Sequence, residues 1–139
     1  MTPEQKLKWA ILDKAARWSG TALPPVTGDN VDALYAALVA EDGHWDARNE
    51  VRCSGVETGL ARTVPYMTAR HYDHKEVAAK MPDGSWVGWT YWHGGGKHGE
   101  PSAVEWMDGS YPVNQREEPR TIIVNLFSFP EAPEAAESS

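Results

Sequence analysis

"KMPDGSWVGWTYWHGGGKHGEP", residues 80–101, decides how the rest of the chain must be arranged. Pro82, Asp83 and Gly84 are turn residues set between two segments able to alternate, which predicts a β-hairpin joining residues near 70–81 to residues near 85–93. Strand geometry then sorts the side chains: Trp86, Gly88, Thr90 and Trp92 share one face, and Val87, Trp89, Tyr91 and His93 share the other. On the preceding strand Arg70, Tyr72 and His74 fall together, opposite His71, Asp73 and Lys75. Both faces of the second strand carry aromatic rings. One face packs on helices; the other becomes an exposed aromatic surface, the kind that marks a binding site, unless something covers it.

The helices come from upstream. Thr2, Pro3 and Gln5 form a capping-box start, and Leu7, Ala10, Ile11 and Trp18 recur at helical spacing until Gly20. "TALPPVTG" (21–28) breaks the helix with two prolines and a glycine. Asp29 is the expected cap of a second helix through Val31, Leu34, Tyr35, Leu38 and Val39, closed by Asp42 and Gly43. "HWDARNEV" (44–51) suits a short helix, and the stretch to Pro65 reads as loop or irregular strand.

Downstream of the hairpin, Pro101 opens a predicted short helix through Ala103, Val104, Trp106 and Met107, ended by Gly109. The β-branched and aromatic "RTIIVNLFSF" (120–129) predicts a last strand. "PEAPEAAESS" lacks large apolar residues, so residues 131–139 are expected to be a disordered acidic tail after a single domain spanning residues 1–130. Helices first and strands later favour an α+β fold, with N-terminal helices packed on a small, mainly antiparallel β-sheet. The expected core is Leu7, Ile11, Trp18, Leu34, Leu38, Trp92, Trp106, Ile122 and Val124.

Composition limits the function. The chain has 139 residues, 41% of them hydrophobic, with seven tryptophans, enough for one domain with a true core. The net charge of −7 argues against duplex DNA and anionic membranes as partners. Between Arg62 and Gly99, however, five cations (Arg62, Arg70, Lys75, Lys80, Lys97) outnumber three acids (Asp73, Glu76, Asp83), and four of the five histidines fall there. A lone Cys53 and an N-terminal stretch unlike a secretory signal point to the cytoplasm.

Within that region the glycines at 94, 95 and 96 allow close backbone approach, and Lys97 and His98 add donors before a helix start. Aromatic rings beside them can stack a base. The expected ligand-binding set is Arg70, Tyr72, Trp89, Tyr91, His93, Gly94, Gly95, Gly96, Lys97, His98 and Glu100. Within it Trp89 and Tyr91 would stack, and Arg70, Lys97, His98 and the glycine backbone would meet an anion. The competing interpretation is a tight turn with Lys97 solvated and Glu100 occupying the free donors. The loop is not a P-loop, because no Ser or Thr follows Lys97 and the glycine spacing is wrong.

Other chemistry is less well supported. A metal site from His71, Asp73, His74, His93 and His98 is weakened because His71 and His74 point to opposite faces and no HExxH or Cys–His framework exists. Cys53 is expected to be a buried structural thiol, and Glu57, Glu100, Glu105 and Asp108 form no evident acid–base pair. No catalytic residue, metal or cofactor is therefore assigned. Acting as an acidic mimic of nucleic acid is disfavoured by Lys6, Lys8, Lys14 and Arg17 interspersed among the helical acids.

The stretch "MPDGSWVGWTYWHGGGKHGEPSAVEWMDGSY", within residues 66–111, resembles a group of small, functionally uncharacterised proteins of tailed phages and prophages that carry a WVGWTYW-x-GGGKHGEP motif. His93 stands where that pattern has a tyrosine. The resemblance implies an accessory protein of infection, such as a counter-defence factor, working in the host cytoplasm. The expectation is then a binding protein for a nucleotide-like or other anionic small ligand. The alternatives are a protein-binding inhibitor of a host defence complex and a small hydrolase or transferase. A homodimer would arise if a second copy covered the spare aromatic face.

Overall fold

The computed structural model describes residues 1–95 and 99–131. Helix α1 (Pro3–Ser19) starts on the expected box: Gln5 N–H donates to Thr2 Oγ1 at 3.1 Å and Thr2 N–H to Gln5 Oε1 at 2.9 Å. It ends on Gly20, whose φ of 70° is left-handed. Helix α2 (Val31–Ala40) follows a turn in which Thr27 and Asn30 bond reciprocally, so Asn30 and not Asp29 stands at its cap. Helix α3 (Trp45–Cys53) turns Ala47 and Val51 into the core, and the short α4 (Tyr66–Ala69), absent from the sequence reading, leads into the hairpin.

The sheet has four antiparallel strands in the order β1-β2-β3-β4: β1 (Val56–Glu57), β2 (Asp73–Lys80), β3 (Trp86–His93) and β4 (Tyr111–Val113). Four helices beside an antiparallel sheet, with the N-terminal helix first, make this an α+β fold. The β2–β3 hairpin closes through Met81–Ser85, where Gly84 takes a φ of 88° and Met81 N–H donates to Ser85 O at 2.7 Å. Its register places Val77 opposite Trp89 and Glu76 opposite Thr90. Leu7 and Ile11 of α1 and Ala47 and Val51 of α3 meet Val77, Val87 and Trp89 in the main cluster, joined by Trp92, Trp106 and Met107.

Several expectations are corrected. Residues 120–129 form no strand; they are exposed, so Ile122 and Val124 are not core. Trp18 is also exposed, because it lies on the last turn of α1 beyond the sheet's reach. Leu34 and Leu38 are half-buried. The predicted helix after Pro101 is only a 3-10 turn, Pro101–Ala103, although Trp106 and Met107 are buried beyond it. Cys53 is exposed, since it falls on the last residue of α3. The acidic tail lies outside the described residues except for Glu131.

Candidate ligand site at the open end of the hairpin

Alternation correctly groups the residues of β3, but the helices choose which group is hidden. Gly55, just after α3, approaches so closely that a Cβ there would lie 2.7 Å from Val77 and 3.0 Å from Trp89. Trp89 is 0% exposed, and its indole N–H donates to Arg52 O at 3.3 Å. A ring so enclosed has no face left for a ligand, so the expected stacking role of Trp89 is withdrawn. Trp106 lies 5.3 Å from it, centroid to centroid.

Two residues further along the same face, Tyr91 is only half-buried, although Arg52 and Cys53 of α3 still border it, Cys53 Sγ lying 3.9 Å from its hydroxyl. The Arg52 guanidinium sits 4.5 Å from the Tyr91 ring centroid and the Lys75 ammonium 5.7 Å from it. His93 stacks beside the ring at 5.8 Å, with 29° between planes. Arg52 is buried, and its hydrogen bonds go to neutral acceptors: Asn49 Oδ1 at 3.2 Å, Cys53 Sγ at 3.8 Å and the Trp92 carbonyl. Lys75 reaches Glu57 at 3.8 Å in an exposed pair that contributes little. A cation held on a ring is worth ~0.5 to 2 kcal/mol, more as water is excluded. Two cations thus lie on Tyr91, with the carboxylates of Glu57 and Asp73 at the same end of the hairpin.

The glycine loop leaves from this end. Gly94 and Gly95 take φ values of 73° and 70°. A Cβ on Gly95 would collide with His71 O and stand 2.7 Å from the Tyr72 ring, and one on Gly94 would stand 3.2 Å from Asp73 Oδ2. These two glycines are therefore required by the turn itself. Tyr72 packs against the loop, with its hydroxyl 3.7 Å from where a Gly99 Cβ would lie. Arg70 is elsewhere: exposed, 5.9 Å from the Tyr66 ring and bonded to Met67 Sδ. Glu100 is exposed and makes no side-chain cap, and the three-residue turn after it is too short to act as a helix dipole. Gly96, Lys97 and His98 lie outside the described residues.

The opposite face carries a separate polar cluster. Glu76, 6% exposed, accepts from Thr90 Oγ1 at 2.8 Å and from the Tyr111 hydroxyl at 2.6 Å. Tyr111 can cover it because Gly88 has no side chain: a Cβ there would sit 2.6 Å from the Tyr111 ring. Arg62 lies 4.0 Å above that ring. Burial first, then the bond to Glu76, pushes the Tyr111 phenol well above the usual tyrosine range. Nearby, Trp92, Trp106, Thr90, Arg62 and Asp108 border a cavity of about 120 Å³. Trp106 Nε1 is buried with no partner among the described residues.

Sequence reasoning brought Tyr91, His93, Gly94, Gly95 and Tyr72 to one end of the hairpin and missed Arg52 and Glu76. Helical spacing assigns an arginine to solvent by default, and only the register of β3 against α3 reveals that Arg52 serves the Trp92 carbonyl. Glu76 was detectable, since the turn length fixes it opposite Thr90. Among the described residues no three His, Cys, Asp or Glu side chains converge in a metal-binding arrangement, and no helix is long and apolar enough to cross a membrane. No protein-family model matches this chain, and neither a curated protein nor a solved structure does so.

Proposed function

We propose that this chain is a phage-type accessory binding protein, non-enzymatic and of a kind that serves counter-defence, that holds a nucleotide-like anion at the open end of the hairpin. The observation that carries the proposal is Tyr91, a half-buried ring with Arg52 and Lys75 both on its π-system and His93 stacked beside it. A base or similar planar group stacks on the exposed part of Tyr91 and His93, a contact worth ~1 to 3 kcal/mol. The anionic part meets Lys75, with Arg52 supplying a fixed charge beneath. Arg70, 5.9 Å from Tyr66, is left out of the set. The phage setting, and with it the host cytoplasm, rests on the GGGKHGEP motif.

Calorimetry against a panel of linear and cyclic nucleotides tests this. Binding that weakens about tenfold or more in Lys75→Ala and in Tyr91→Ala supports it, and a panel without any binder removes it. A second reading, docking on a host protein, is favoured by Trp18 and Trp45, 56% and 61% exposed, which border one groove together with Asp42 and Asp46. An inhibitor of that kind co-purifies with its target and loses it in Trp45→Ala.

A further inference from the structure

The segment after β4 has the composition of a buried strand and none of its cover. Ile122, Ile123, Val124, Leu126, Phe127 and Phe129 are between 61% and 96% exposed, in backbone that makes no strand pairing. Pro119 and Pro130 bracket it, and no charged residue interrupts residues 121–129. Alternation puts Ile122, Val124 and Leu126 on one side and Ile123, Phe127 and Phe129 on the other, so the segment is apolar on both faces. A strand at the rim of a two-layer domain needs one apolar face. Two apolar faces call for a layer on each side.

The sheet itself has a matching vacancy. β4 is a three-residue edge strand, and beside it a groove on the outer sheet face is bordered by Val56, Leu60, Ala78, Trp86 and Val113. The chain leaves β4 through Asn114–Arg116 along the rim of that groove. Residues 116–120 are bridged locally, Glu118 pairing with both Arg116 and Arg120, and the large apolar side chains beyond them are left exposed. Those side chains are open to another molecule.

We propose that residues 121–129 of one copy dock on a second copy, over its outer-face groove beside β4, in a reciprocal two-fold exchange. The second copy is the occupant that supplies both layers at once: its sheet covers one face of the donated strand, and the paired arrangement covers the other. A closed exchange also removes the hazard of an uncharged, β-prone segment left open, which would otherwise template open-ended assembly. The area is adequate. Each Phe buries ~150 to 250 Å². With four aliphatic side chains beside the two rings, one segment supplies most of the ~800 Å² per partner of a standard interface. The inference is independent of the nucleotide proposal, since none of the residues named here borders Tyr91.

The test uses the full chain. Sedimentation at micromolar concentration gives twice the 15.4 kDa chain mass, and hydrogen exchange shows amides 121–129 protected in the dimer and losing protection on dilution. Ile123→Lys with Phe127→Lys, both on exposed side chains, gives a folded monomer with unchanged far-ultraviolet dichroism and no protection at 121–129. Four outcomes overturn the proposal: a wild-type monomer with those amides unprotected, a monomer with them protected by folding back on its own sheet, open-ended aggregates without a dimer, or a dimer that survives the double lysine variant.

Discussion

Trp89 and Tyr91 sit two residues apart on one face of β3, and they have opposite fates. At Trp89 the strand runs under α1 and α3, and Gly55 lets the backbone close on the ring until nothing remains exposed. At Tyr91 the last residues of α3 still reach the strand, but they bring Arg52 and Cys53 to the ring, which is half-buried and bordered also by Lys75 and His93. The lesson is that an aromatic strand is not a single surface. The side chains that the covering segment brings to each ring, none at Gly55 over Trp89 and polar ones over Tyr91, decide whether the ring is enclosed or left half-open.

The largest effect should come from the closed end. Trp89→Ala empties a fully enclosed site and is expected to cost ~3 to 5 kcal/mol, read as a lower denaturation midpoint with an unchanged slope. Tyr91→Ala, on the same face, should cost less, ~1 to 2 kcal/mol of stability, from a half-buried ring and its cation contacts; equal losses at the two positions would erase the distinction between the ends. Glu76→Ala comes next, at ~1 to 3 kcal/mol, because the Thr90 and Tyr111 hydroxyls lose their shared acceptor. Gly95→Ala should lower stability by ~1 kcal/mol or more through its left-handed backbone and the collision with His71 O.

The smallest effect is a pH dependence. Burial is the leading cause that raises both Tyr35 and Tyr111 above the ordinary tyrosine value of 10.0. The folded state therefore keeps these phenols neutral where the unfolded chain ionises them. The stabilisation is complete below pH 10 and is lost as the pH rises above it. Asp83 works in the other direction. The Ser85 hydroxyl, followed by the Ser85 N–H and Lys6, holds its carboxyl below the usual value of 3.8, so its contribution is present above that value and is lost as acid is added. Chemical denaturation across pH checks both: Tyr111→Phe should remove part of the alkaline loss, and Ser85→Ala part of the acid loss.

Local chemistry was legible in the sequence wherever a residue's own backbone carried the signal. The Thr2–Gln5 box, the Gly20 stop and the Asp83–Gly84 turn are each decided within four residues, and the hairpin follows from that turn. What could not be read depends on which element lies over which. Alternation placed Trp89 and Tyr91 on one face but could not say which residues of α3 and of the segment after it meet each ring. Helical periodicity likewise gives no sign that Arg52 is buried. The segment 120–129 was read as a strand from composition alone, and composition records that a chain is suited to pairing without naming the edge it pairs with. In the candidate site, Tyr91, His93 and the glycines were found because aromatic and glycine residues are concentrated there, whereas Arg52 arrives from 39 positions upstream of Tyr91.

The central claim is that the open end of the hairpin binds an anionic, stackable ligand. Titration calorimetry of the wild type and of Tyr91→Ala, each shown to be folded, against the nucleotide panel tests it most directly. The account predicts at least one nucleotide bound by the wild type and bound about tenfold or more weakly by the variant, a loss of ~1.4 kcal/mol. Binding that Tyr91→Ala leaves unchanged, or no binding across the panel, would contradict it.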